Sequence, residues 1–181
     1  MLTTLLIKLV RDAISEAFDK TSLIDKSKLI EQHPDLQKLA ATFVTLTLDG
    51  QLRGCIGSLT PHKILFDDVV SNAHAAAFKD PRFLPLSKEE FSKVIVEVSL
   101  LSKPQEFEYK SLEELKKKIT HEHGVILRHR SYQATFLPQV WEELPSFELF
   151  FSHLCQKAGM DASCLEQHPQ ISLYTVEKFK E

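Results

Sequence analysis

The sequence predicts an α+β fold built on a mixed, largely antiparallel sheet with flanking helices. Three observations point there. FVTLTLDGQLRGCIG (43–57) sets two strand-like runs on either side of Asp49-Gly50, a pair that favours a tight hairpin turn. Ser87…Glu90 and Ser111…Glu114 have the spacing of helix capping boxes. Strands and helices are also mixed without a repeating βαβ rhythm, which indicates the α+β class.

Taken in order, residues 1–18 read as an amphipathic helix. Leu2, Leu5, Leu6, Leu9, Ala13 and Ala17 form one stripe, while Lys8, Arg11, Asp12 and Glu16 interrupt the apolar run at helical spacing. With those charges the segment is expected to be a helix packed on a core, not an export signal. A polar stretch around Gln32–Asp35 precedes the hairpin. Thr60-Pro61 is expected to open a helix reaching Phe78, and Asp80-Pro81 to turn the chain. A short helix after Ser87 leads to the apolar strand at 94–101, and Ser111 starts a helix to about Ile119. Strands near 124–129 and 132–136 follow, then a helix from Ser146 to Ala158 with Gly159 in its left-handed cap. ISLYTVEKF alternates as one final strand. With no linker or repeat, residues 1–181 read as a single domain.

The net charge of -3 over 181 residues gives no basic field for nucleic acid or anionic lipid. Lys116–Lys118 lies late in its helix, where it complements the dipole. No run approaches the roughly eighteen apolar residues of a membrane span, and a cytoplasmic location is expected. Cys55, Cys155 and Cys164 are odd in number and lack CxxC spacing, so neither a disulfide framework nor a zinc site is expected. HEHG (121–124), with His129 nearby, offers two histidines without a third ligand at a defining distance. No metal or cofactor is assigned.

The chemistry concentrates in the returning strand. In a regular strand Arg53 and Cys55 share a face, with Gly57 beyond them, while Leu52, Gly54 and Ile56 point the other way. A two-residue turn would place Val44 and Leu46 opposite Cys55 and Arg53. A neighbouring cation lowers a thiol's pKa and apolar burial raises it. The glycines mark either close packing against the next helix, whose second half is alanine-rich, or a bulge. His74 stands at the edge of that helix's apolar stripe, as a boundary histidine or as proton acceptor for Cys55. Asp80 and Arg82 sit two apart in a turn. Glu97 and Ser99 share one face of an apolar strand, where a carboxylate needs a partner, Arg53 or Arg82, or access to water.

These residues resemble the AMMECR-type family, known in bacteria and archaea as AmmeMemoRadiSam system protein A. LRGCIG stands complete at 52–57, and FVTL (43–46), AAFKDPRF (76–83), EVSLL (97–101), FLPQV (136–140) and KAG (157–159) follow the family's order. The resemblance implies two unequal lobes sharing a groove that carries the signature, and an association with Memo-like and radical-SAM proteins. By motif it marks Arg53, Gly54, Cys55, Gly57, Asp80, Arg82, Glu97 and Ser99; His62, His74, His121 and His123 fall outside it. Two functions follow. One is an accessory protein that binds a small anionic ligand or a partner, with Arg53, Gly54, Gly57, Asp80, Arg82 and Ser99 in recognition. The other is an enzyme with Cys55 as nucleophile in group transfer or hydrolysis and Glu97 handling protons.

Overall fold

A computed structural model describes residues 2–181. In chain order its helices are α1 (Leu2–Asp19), α2 (Lys26–Gln32), α3 (Leu65–Phe78), α4 (Lys88–Phe91), α5 (Leu112–Lys118) and α6 (Phe147–Lys157). Its strands are β1 (Leu39–Leu48), β2 (Gln51–Gly57), β3 (Lys63–Ile64), β4 (Ile95–Leu101), β5 (Gln105–Phe107), β6 (Gly124–His129), β7 (Tyr132–Phe136), β8 (Gln170–Tyr174) and β9 (Val176–Lys180). They form two compact units. The first runs to Leu101 and takes up Glu177–Glu181, and the second is Ser102–Val176. The α+β class holds, with two sheets in place of the expected one.

The first unit is a sheet in the order β2-β1-β4-β9, with β3 also pairing to β1. Its core joins Val44, Leu46, Val96 and Val98 to Leu6, Leu9, Val10, Ala13 and Ile14 of α1 and to Val69, Ala73, Ala76 and Ala77 of α3. The α1 stripe is thus rotated from the one expected. Ala17 is exposed, and the arc is centred on Val10 and Ile14 where the helix meets α3 and β4. The hairpin forms as predicted, with Asp49 at φ 51° and Gly50 at φ 77°, the positive values a tight turn of this kind requires. Helix α3 starts later than Thr60-Pro61 would place it. Lys63 and Ile64 first pair with Ala40 and Leu39 of β1, so Ile64 becomes the cap. Ser87 and Glu90 form the full capping box.

The second unit is a sheet in the order β5-β8-β6-β7, packed by Leu115 of α5 and Phe150, Phe151 and Leu154 of α6. The pairs β5–β8, β8–β6 and β6–β7 are all antiparallel. The expected single strand ISLYTVEKF divides at Thr175: Gln170–Tyr174 belongs to this sheet and Val176–Lys180 to the first. Both halves keep the same alternation, so periodicity cannot reveal the change of sheet. Ser102 N–H donates to Thr175 O at 2.9 Å, and Thr175 N–H donates to Ser102 Oγ at 2.9 Å, joining the ends of this unit. The expectation of no disulfide is corrected as well: Cys155 and Cys164 are bonded, both fully buried in the second core. Their spacing carries no motif, and helix packing alone brings them together. No described helix is long and apolar enough to cross a membrane.

Candidate functional site

The glycines of LRGCIG are shaped by packing. A Cβ on Gly54 would lie 2.2 Å from the Ala76 carbonyl oxygen, so α3 crosses the strand at a distance no side chain permits. A Cβ on Gly57 would fall 2.3 Å from the Phe43 ring and 2.4 Å from Thr42 O. Just beyond it, buried Asp68 receives Thr42 N–H, Thr42 Oγ1–H, Ser58 Oγ–H and Asn72 Nδ2–H at 2.7–3.0 Å. That satisfied carboxylate ties the ends of β1 and β2 to α3.

The register changes the expected neighbours of Cys55. Leu46 pairs with Gly54 but Thr47 pairs with Leu52, so Arg53 is the extra residue of a β-bulge. Cys55 therefore faces Thr45, with Sγ and Oγ1 in hydrogen-bond contact at 3.3 Å, where Val44 was expected. The bulge also carries Leu52 onto the Cys55 face. Thr45 pairs in turn with Glu97, which sets Cys55, Thr45 and Glu97 in one row across three strands. The nearest cation to Glu97 is Lys178 at 3.8 Å, rather than either arginine. Ser99 is buried one step along, in the row of Phe43 and Gly57. This face is opposite to the one that packs on α3, so His74, on α3, lies across the sheet from the thiol and beside Phe78 instead.

Strand β2 is a sheet edge, and the segment after α3 covers it. Asp80 Oδ2 accepts the Cys55 N–H at 2.9 Å, and Arg82 Nη2–H donates to Cys55 O at 3.2 Å. The two side chains are themselves paired at 2.7 Å, so together they do for this peptide what a neighbouring strand would do. Arg82, aided by the Cys55 and Arg82 amides, holds the buried Asp80 carboxyl well below the usual carboxylate range. Arg53 donates Nε–H and Nη2–H to the two oxygens of Glu90 at 2.9 Å each, and Nη2–H to Leu84 O at 3.0 Å. Those bonds, with the Ser87 amide, bring the Glu90 pKa down to about 2. Both guanidinium groups also flank Phe83, at 5.7 and 5.5 Å from its centroid.

Both arginines are thus neutralised by carboxylates, Arg53 by Glu90 and Arg82 by Asp80. The sequence alone does not mark Thr45, Phe83 or Glu90 as parts of this arrangement. Glu90 was legible as a helix cap, but its bond to Arg53 spans 37 residues and leaves no local trace. In HEHG, His121 stacks on Trp141 at 4.9 Å and His123 Nδ1 accepts the Thr120 N–H at 3.0 Å. Among the described residues no three His, Cys, Asp or Glu side chains gather as a metal site would require.

Known proteins share this arrangement of chain. The AMMECR1 family model matches residues 7–179. A protein of Methanosarcina barkeri is 35% identical over 97% of this chain and 88% of its own length. One from Saccharolobus islandicus is 37% identical over 88% of this chain and 72% of its own. The crystal structure of an uncharacterized protein from Pyrococcus horikoshii, 32% identical, covers 98% of this chain and 90% of its own with a TM-score of 0.80.

Proposed function

Because the chain belongs to the AMMECR1 family, we propose that it is an accessory protein that docks a protein partner of the Memo-like or radical-SAM kind through the sheet face around Cys55. One observation carries this reading. Exposed Leu52 and Ile95 lie on that face in the row beside Cys55, Thr45 and Glu97, and Leu84 is 83% exposed at the covered edge. Apolar side chains left in water next to a fixed backbone are what a partner surface buries. With Arg53 held by Glu90 and Arg82 by Asp80, the arginines order the edge and offer a small anion little free charge. Asp80 and Arg82 then fix the Cys55 peptide, Gly54 admits α3, and Gly57 admits Phe43. The test is binding of purified Memo-like and radical-SAM proteins to Leu52→Asp, Ile95→Asp and Cys55→Ser variants. The aspartates are expected to abolish binding and the serine to preserve it; the opposite pattern would refute the docking surface.

The Thr45–Cys55 contact, with Glu97 in the same row, favours a second reading in which the thiol is a nucleophile. Cys55 is the one free cysteine, so alkylation of the native protein reports on it alone. A reactivity midpoint clearly below about pH 8 would support the enzyme; ordinary thiol behaviour would leave the docking role.

A further inference from the structure

The second unit holds a cavity of about 460 Å³ whose lining includes Lys103, Lys118, His123, Phe107, Ser102 and Thr175. It lies where β5 begins and β8 ends, below the last turn of α5. Neither lysine is in an ion pair among the described residues, whereas the neighbouring Lys116 is paired with Glu148. Lys118 Nζ lies 5.7 Å from the centroid of the Phe107 ring. Glu106 is the one acid among the lining residues, and strand alternation turns its side chain to the sheet face opposite Phe107. His123 uses Nδ1 to accept the Thr120 N–H, so its neutral ring carries the proton on Nε2 as a donor. Burial and then Lys118 push its pKa down.

We propose that this cavity binds a small phosphate ester, with Lys103, Lys118 and the Nε2–H of His123 on the phosphate and Phe107 and Leu173 against the organic part. Two ammonium groups are compact charges suited to a phosphate oxyanion, while the planar fork that favours carboxylates is missing from the lining. The apolar wall gives an ester an advantage over the bare ion. A dianion beside His123 would counter the repulsion from Lys118 and add to the pull of Glu122, so binding and imidazole protonation are linked.

The experiment follows the histidine ring and backbone amide resonances of the whole chain by NMR during titration with phenyl phosphate and, separately, with inorganic phosphate. Phenyl phosphate is expected to saturate near about 1 mM or below, with shifts confined to residues around Ser102, His123 and Thr175, and to raise the His123 pKa. Inorganic phosphate should bind more weakly. Lys103→Ala and Lys118→Ala should each weaken binding roughly fivefold or more, whereas Lys117→Ala, outside the cavity, should not. Each variant's unperturbed spectrum away from the cavity controls for folding. Absence of saturable shifts, equal weakening by Lys117→Ala, or an unmoved His123 pKa would overturn the site. Phenyl phosphate binding no tighter than inorganic phosphate would overturn its assignment to an ester.

Discussion

Replacing Asp80 with asparagine keeps the shape of the side chain and removes the charge on which the covered edge depends. Asp80 accepts the Cys55 amide, the Arg82 amide and two guanidinium N–H groups at 2.7–3.1 Å, with donors on both oxygens. An amide NH₂ in place of either oxygen would point a donor at donors. Breaking a buried pair costs about 3–5 kcal/mol, and the half-exposed Arg82 places this one near the bottom of that range, at about 3 kcal/mol. For a chain of this length that corresponds to a fall in melting temperature of roughly 6–12 °C. The Cys55 amide should exchange on the order of a hundredfold faster. Trp141 belongs to the second unit, so calorimetry and amide exchange, rather than tryptophan fluorescence, are the proper assays. Acid provides a second check. The folded pKa of Asp80 is depressed, so its stabilisation is present above the unfolded value of about 4 and is lost as pH falls below it. Glu90 acts in the same sense, from about pH 4.5 down to its folded value of about 2. The asparagine variant should therefore lose stability less steeply than wild type below about pH 5. A melting temperature within about 2 °C of wild type, with Cys55 exchange unchanged, would refute the clamp.

Gly54→Ala drives a methyl into the Ala76 carbonyl, a backbone atom that cannot swing aside; a loss at or above the upper end of the usual 1–3 kcal/mol for overpacking is expected as a lower urea midpoint. Gly50→Ala meets nothing within 4 Å and should lose only about 1 kcal/mol, through its positive φ. Cys155 and Cys164 close a short loop, with a separation of 9 residues, so opening it by Cys155→Ala with Cys164→Ala should cost the second unit about 2.5–3 kcal/mol. Trp141 fluorescence during urea unfolding measures that loss, and an unaltered midpoint would contradict it.

Local rules made much of this molecule legible. Asp49-Gly50 announced its hairpin because its backbone demands are met by few other pairs, and Ser87 and Ser111 announced helices through bonds three residues long. The alanines of α3 and Gly54 each hinted at the close contact they make together. What escaped the sequence depends on partners far along the chain. The bulge at Arg53 shifts by one the partner of every residue beyond it, away from the turn, yet a bulge and an ordinary strand glycine look alike in one dimension. Glu90 joins Arg53, and Cys155 joins Cys164, only because packing has already placed them. The split at Thr175 was hidden for the opposite reason, since both flanking strands obey one period.

That split has a further consequence for how the chain comes to be built. The second unit interrupts the first, and Arg11 near the start waits for Glu181, which it holds at 2.6 Å while Glu181 also pairs with the Val96 backbone. During synthesis the first sheet therefore emerges without its outer strand, while the inserted unit, its ends tied at Ser102 and Thr175, is complete in sequence first. The host cannot be completed until the insert has been made, and removal of the last five residues would leave an entire inserted unit within an unfinished host.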